Sequence, residues 1–410
     1  MSTGQPSHGR SAKVAAPMRR SLGALPPSIW ALGVVSLLMD TSSELVHSLL
    51  PVFLKDILGA SLVAIGVVEG IAEATASATK VVSGIASDAL GRRKLLVVLG
   101  YGLGALSKPG FPLARSVLEV FAARFVDRIG KGIRGAPRDA LVADLAPPAL
   151  RGAAYGLRQA LDSVGAFLGP LLAVVFMARF ADDLEAVLWV AVAPAFASVA
   201  LLAIAVREPP RDETDRDGAP PFRLAGVRRL EPRFWRVVGL GAVFTLARFS
   251  EPFLVLRAQS SGLGIRYVPT VMIAMNLFYA GGAYPAGVAA DRMSRRTLLV
   301  AGLAVLVLAD GVLAGAAAPW QVFVGASLWG VHMALTQGLL SKLVADTASA
   351  ELRATAFGIF NLVSGAALLI ASVLAGALWE HVGPAATFLA GALFAALAAV
   401  GVVAFAPRPR

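Results

Sequence analysis

Asp40, Glu44 and His47 occupy positions i, i+4 and i+7 of one apolar stretch, while Glu69 and Glu73 lie four apart in the next, with Lys80 seven residues further on. At these intervals side chains share one helical face. Carboxyl groups held in apolar stretches are suited to taking up and releasing protons, because their charged form is costly there. Asp40 and Glu44 are therefore the leading candidates for proton carriers, and Glu69, Glu73, Asp162 and Glu251 are further ones. Coordination of a metal cation by Asp40, Glu44 and His47 is a second chemistry that the same residues allow.

A third stretch reads Arg124, Asp127, Arg128, Lys131, Arg134, Arg138 and Asp139, with residues 127, 131, 134 and 138 on one helical stripe and Arg124 and Arg128 on a neighbouring one. Guanidinium groups bind carboxylates through paired hydrogen bonds, so Arg124 and Arg128 are expected to neutralise the carboxylates around residue 40 or to hold an anionic solute. Arg134, Arg138 and Asp139 are expected to be solvated anchors or partners of Asp88. Arg158, Gln159, Arg248, Asn276, Tyr279, His332, Gln337 and Asn361 add hydrogen-bonding groups and an aromatic face. With His47, Arg124, Asp127 and Arg128 they make up the candidate lining of a substrate cavity.

Charged residues inside apolar stretches require elements that shield them. Of the 410 residues, 57% are hydrophobic and 15% charged, against roughly 25% charged in a soluble domain. The apolar runs are long enough to cross a hydrocarbon layer of about 30 Å as helices. In lipid the alternative is a closed barrel, and these runs lack the length and alternation of barrel strands. An all-α membrane protein with twelve transmembrane helices is expected. Its spans lie near 29–54, 61–83, 95–112, 116–138, 152–178, 185–206, 235–256, 267–290, 297–316, 320–343, 354–379 and 384–406. Residues 1–28 form an N-terminal tail, 29–206 and 234–406 two six-helix bundles, and the Arg-, Asp- and Pro-rich 207–233 a linker. An ionisable group at mid-membrane costs about 2.5–3.5 kcal/mol on insertion scales, so these charges call for an aqueous cavity or internal pairing.

Lys and Arg set the orientation. With the N-terminal tail in the cytoplasm, the clusters at residues 92–94, 207–236 and 292–296 fall inside, and Lys55, Lys108, Arg115, Arg179, Arg257 and Arg266 fall outside. The formal charge of +11 then reports topology, and nucleic acid is not an expected partner. A multi-pass protein of a bacterial inner membrane with both termini cytoplasmic follows. The chain has no cysteine, no phosphate-binding Gly-x-x-x-x-Gly-Lys-Ser/Thr loop and no His-Glu-x-x-His pair. Neither an enzyme nor a cofactor nor a resident metal is expected. Gly100-Tyr-Gly102-Leu-Gly104 is expected to pack helices rather than bind a nucleotide.

The chain repeats internally. Asp144 to Arg151, followed by Tyr155-Gly156, matches Asp346 to Arg353, followed by Phe357-Gly358, at an offset of 202, and Gly84 to Arg93 matches Gly287 to Arg296 at 203. Duplicated six-helix units are a common basis of alternating access. Gly84-Ile-Ala-Ser-Asp88-Ala-Leu-Gly91-Arg92-Arg93 resembles the cytoplasmic Gly-x-x-x-Asp-x-x-Gly-Arg-Arg/Lys motif of the major facilitator superfamily, and its copy carries Ser294 in place of Gly91. The resemblance extends over essentially the whole chain. It implies two pseudo-symmetric bundles and a cytoplasmic gate involving Gly84, Asp88, Gly91, Arg92, Arg93, Asp144, Arg151, Asp291, Arg292 and Arg295. Arg128 to Gly132 fits the Arg-x-x-x-Gly found in the fourth helix of that family.

Gly165-x-x-x-Gly169-Pro170 resembles the core of the motif of proton-driven exporters in the same superfamily, although Leu171, Leu172 and Ala173 replace its further glycines. Close helix packing is the other reading of this element. The expected function is secondary active transport of a small solute by alternating access, as proton-coupled efflux. Uptake of an organic anion by symport and export of a metal cation are the alternatives. The expected partners are a small-molecule or ion substrate, protons and the lipid bilayer, and a monomer is expected.

Overall fold

The computed structural model describes residues 23–208 and 230–405, apart from positions 91, 337, 350 and 351. Most of the expected tail and linker, Gly91 and Gln337 lie outside the described residues, as do the side chains of Asp88 and Asp291. The first half comprises α1 (Pro27–Val52), α2 (Leu62–Leu90), α3 (Arg93–Ser107), α4 (Val117–Leu145), α5 (Arg151–Arg179), α6 (Leu184–Val190) and α7 (Val192–Ala205). The second comprises α8 (Pro232–Leu246), α9 (Pro252–Ser260), α10 (Thr270–Arg292), α11 (Arg295–Ala314), α12 (Pro319–Thr336), α13 (Leu339–Thr347), α14 (Arg353–His381) and α15 (Pro384–Phe405). Among the described residues there is no strand. Eight helical segments among the described residues are long and apolar enough to cross a membrane. The remaining expected spans fall short for visible reasons: α3 stops after 15 residues, α4 is laden with charge, and the segments at 232–260 and 319–347 are broken.

Each break has a local cause. Pro252 heads α9, and a residue preceding proline resists helical continuation, so the expected span 235–256 opens at Ala247–Glu251. Gly338 takes a left-handed φ of +77°, which divides the expected span 320–343. Pro194 lacks the N–H that would reach the carbonyl of Val190, and the helix is interrupted at Ala191. By contrast, α4 continues to Leu145, beyond the expected end at 138.

Small residues govern the packing. At Gly169 an added Cβ would lie 2.7 Å from both the Thr41 carbonyl oxygen and the Leu45 nitrogen, and at Gly165 it would lie 2.7 Å from the Leu37 carbonyl oxygen. The Gly165/Gly169 element thus seats α5 on α1. Gly100 and Gly130 do the same for α3 on α4, where their added Cβ atoms would lie 2.7 Å and 2.6 Å from the opposing carbonyl oxygens. Because the obstructing atoms on α1 belong to backbone, Gly169→Val is expected to lower stability by about 1–3 kcal/mol, the usual cost of overpacking, read as a lower thermal unfolding midpoint.

Between the halves, α2 runs along α14. Gly66 and Gly376 sit directly under the carbonyl oxygens of Ser372 and Leu62, and added Cβ atoms at Gly70 and Gly365 would lie 2.9 Å from Leu369 Cα and 3.2 Å from Ser77 Cβ. The polar ties between halves continue toward the same end. Lys55 donates to Gln259 at 3.2 Å, Gln259 donates to Asp56, the Val63 N–H donates to Glu380 at 3.1 Å, and Arg266 grips Asp182 through two bonds of 2.9 and 3.1 Å. Asn276 donates to the Ala166 carbonyl at 3.3 Å nearer the middle. Among the described residues no side-chain hydrogen bond joins the halves at the other, basic end, which carries the 92–94 and 292–296 clusters.

Candidate functional site

A cavity of about 480 Å³ lies between the halves at mid-height. From the first half it is lined by Glu44 and His47 of α1, Glu73 of α2 and Arg128 and Lys131 of α4; the second half supplies Arg248 and Glu251 from the α8–α9 break and Trp329 of α12. A second cavity of about 340 Å³ shares Glu44, Glu73 and Lys131 and adds Asp40, Lys80, Arg134, Arg138 and Asp162. These additions lie toward the basic end of their helices, so the two spaces form one path leading there from mid-height. Lys131 was passed over as a lining residue in the sequence, although its place on the stripe with Asp127 marks it.

Behind the lining lies a dense ionic network. Arg124 donates to Glu69 at 2.7 Å with both side chains 1% exposed. Arg128 meets Glu73 at 3.0 Å, and Lys108 donates to Asp127 at 2.9 Å and to Ser43 at 3.1 Å. The expectation that Arg124 and Arg128 neutralise α1 is therefore corrected, because α4 packs against α2 and its guanidiniums reach the nearer carboxylates there. Arg124, Asp127 and Glu69 belong to this buried network and are not among the residues lining the two cavities. Lys108 and Arg257, read in the sequence as loop charges, are buried: Arg257 donates to the carbonyls of Leu313, Ala314 and Ala316, which closes the end of α11.

Toward the basic end, Arg138 donates to Ser36 at 3.0 Å and lies 4.0 Å from Asp162, which also accepts from Arg158 at 2.9 Å. Arg134 is buried with its guanidinium 4.7 Å from the Tyr101 ring centroid. Arg134 and Arg138 are thus interior tethers instead of solvated anchors. Arg158 is absorbed by its carboxylate partners, and Gln159 points outward from α5.

In the second half, several expected cavity residues serve packing. The His332 ring lies against the Gly302 carbonyl at 2.7 Å and stacks on Phe244, fully buried. Asn276 ties α10 to α5, and Tyr279 and Asn361 are part-exposed without lining either cavity. Arg248 and Glu251 do face the central cavity because the α8–α9 break turns them inward. Among the described residues neither Arg248 nor Lys131 has a carboxylate within 4.0 Å, and the Arg248 Nε is buried without a hydrogen-bond partner. No three His, Asp or Glu side chains among the described residues form a group able to hold a metal, so Asp40, Glu44 and His47 do not converge on one. Asp310, absent from the sequence reading, is fully buried and accepts from Trp329 Nε1 at 2.9 Å.

At the basic end the duplication recurs in side-chain contacts. Arg93 pairs with Asp144 and Arg295 with Asp346, a shift of 202 for both partners. Lys94 donates to the Ala203 carbonyl, and Arg296 donates to that of Val403. Arg151 donates to the Ala143 carbonyl at 3.2 Å, Gly84 faces Ala136 of α4, and Arg92 and Arg292 are exposed. All of these contacts stay within one half.

The family model described as Major Facilitator Superfamily matches residues 32–264 and 249–410. An uncharacterized MFS-type transporter of Methanocaldococcus jannaschii is 32% identical over 377 residues, which cover 90% of this chain and 93% of that one. The inner membrane transport protein YajR of Escherichia coli is 25% identical over 384 residues, covering 90% and 81%. Among solved structures, a D-xylose-proton symporter superposes with a TM-score of 0.73 at 17% identity, covering 92% of this chain and 97% of that one. The nucleoside transporter NupG superposes at 0.71 with 14% identity, covering 93% and 98%. At these identities the likeness to solved structures concerns the fold.

Proposed function

Because this chain belongs to the major facilitator superfamily, a family of multi-pass membrane transporters, we propose that it exchanges protons for a small solute by alternating access between its two six-helix halves. The observation that carries this reading is the central cavity, in which charges of both signs from the two halves face one another, Arg248 and Lys131 without a carboxylate partner among the described residues. Asp40 and Glu44 couple the exchange to protons, since both line the path and, among the described residues, neither is matched to a guanidinium at hydrogen-bond distance. The distribution of Lys and Arg supports a cytoplasmic basic end, with both termini on the inner side of a bacterial inner membrane. In that orientation the conformation is open inward and sealed outward, and expulsion of the solute is favoured by Gly165-x-x-x-Gly169-Pro170, which resembles the core of the motif of proton-driven exporters.

Proteoliposomes carrying a pH dye in the lumen test this. Entry of a solute by antiport makes the lumen more alkaline, and Asp40→Asn or Glu44→Gln is expected to abolish the response. Retention of full coupling by both variants rejects the assignment. Symport of an organic anion is the second reading, favoured by Arg248 and Lys131 having no carboxylate partner among the described residues. It makes the lumen more acidic in the same assay.

A further inference from the structure

His47 stands between two carboxylates on different helices. Its Nδ1 is 3.6 Å from Glu44 Oε2, and its Nε2 is 3.7 Å from Glu69 Oε2. The Nε2 is buried and has no hydrogen-bond partner, and neither has Glu69 Oε1. Both carboxylates are within ion-pair distance, and only an imidazolium, with two N–H groups, can serve both. A neutral ring has one N–H and presents a lone pair to the other carboxylate, so loss of the proton must release one of the two.

The surroundings decide which is released. Glu69 is 1% exposed and keeps Arg124 at 2.7 Å, whereas Glu44 is 24% exposed at the cavity and, among the described residues, has no cationic group other than His47 within 4.0 Å. We infer that His47 is a proton-binding gate over Glu44: with the proton bound, Glu44 is engaged, and with the proton lost to cavity water, Glu44 is free to bind a cationic group. An ammonium or guanidinium group on the solute and a proton on His47 then exclude one another, which is the condition for exchange. The charges around this gate are Asp40 and Glu44 on α1, Glu69 and Glu73 on α2, Arg124, Asp127, Arg128 and Lys131 on α4, and Arg248 and Glu251 across the cavity. Arg128 and Arg124 are already matched to Glu73 and Glu69, leaving Glu44 as the carboxylate whose partner changes.

The inference rests on proton exchange at this cavity, but its main test needs no solute. The chain has four histidines, so ¹⁵N-histidine labelling of the purified protein gives few signals, and His47→Gln identifies the one of interest. The ¹⁵N signals distinguish the doubly from the singly protonated ring, and the pH at which one form replaces the other is expected to differ from the parent in both Glu44→Gln and Glu69→Gln. Should Glu69→Gln not fold, Glu44→Gln at the more exposed side decides alone. A ring that keeps one form throughout, or a crossing unmoved by Glu44→Gln, overturns the gate and leaves alternating access standing. In the vesicle assay, solutes that exchange for protons are expected to carry a cationic group; an exclusively anionic set would overturn the assignment of the ligand class.

Discussion

Replacing Arg124 with Met is expected to destabilise the purified protein by about 3–5 kcal/mol, because Glu69 is left as a buried carboxylate without its counter-charge. The size follows from burial: both partners are 1% exposed, and their 2.7 Å contact lies between α2 and α4, where neither lipid nor solvent can replace it. Glu69→Gln, which leaves the guanidinium unmatched, is expected to be comparably harmful. The double variant Arg124→Met/Glu69→Gln is expected to recover much of the loss, since a buried pair exchanged for neutral groups of similar volume is often near neutral. Arg115→Gln provides the contrast, because the Arg115–Glu185 contact is 66% and 38% exposed and water screens it. Thermal unfolding of the four proteins distinguishes these cases. If Arg124→Met is as mild as Arg115→Gln, the network is not a structural keystone, and Glu69 becomes a candidate for proton chemistry in its own right.

The helical stretches were legible because lipid demands uninterrupted apolar runs, and close packing at Gly165 and Gly169 was legible because they repeat at one-turn spacing, whereas α1 as the partner was not. The α8–α9 break was also legible, although the expected span ran through it: Ser250-Glu251-Pro252 is a helix-stop signal, and it is the break that delivers Arg248 and Glu251 to the cavity. Gly338 gave a similar signal on the other side of the second half. What the sequence withheld was partnership. Arg124 could in principle meet a carboxylate on α1 or α2, and only the packing of α4 on α2 decides for Glu69. Lys108 lies at the end of an apolar run, where a lysine is usually an interfacial anchor, yet Asp127 holds it inside. Asp310 has its partner Trp329 on the next helix, which no local pattern announces.

The glycines joining α2 to α14 were equally silent, and they bear on the proposed alternating access. Substituting Gly66 with Leu or Gly376 with Val is expected to shift the conformational equilibrium away from closure at the end opposite the basic clusters. The atoms in the way are the Ser372 and Leu62 carbonyl oxygens, and a helical backbone held by its own hydrogen bonds cannot yield as a side chain can. Overpacking costs about 1–3 kcal/mol, which corresponds to roughly 5- to 150-fold in the population ratio of the two conformations. Within one half such a clash would lower stability, as at Gly169. Under the proposed alternating access, in which the halves rock against each other, it can be relieved by opening, so fold stability is expected to change little. The cysteine-free chain allows spin labels to be placed directly. Labels at Ile57→Cys and Val382→Cys, both exposed near the closed end, are expected to report a longer distance in Gly66→Leu than in the parent. Labels at Leu90→Cys and Met293→Cys, both exposed at the basic end, are expected to report a shorter one. Opposite changes at the two ends are the signature of rocking about the central cavity, whereas lengthening at both ends would show that the substitution only loosens the fold and would remove the glycine seam from the cycle.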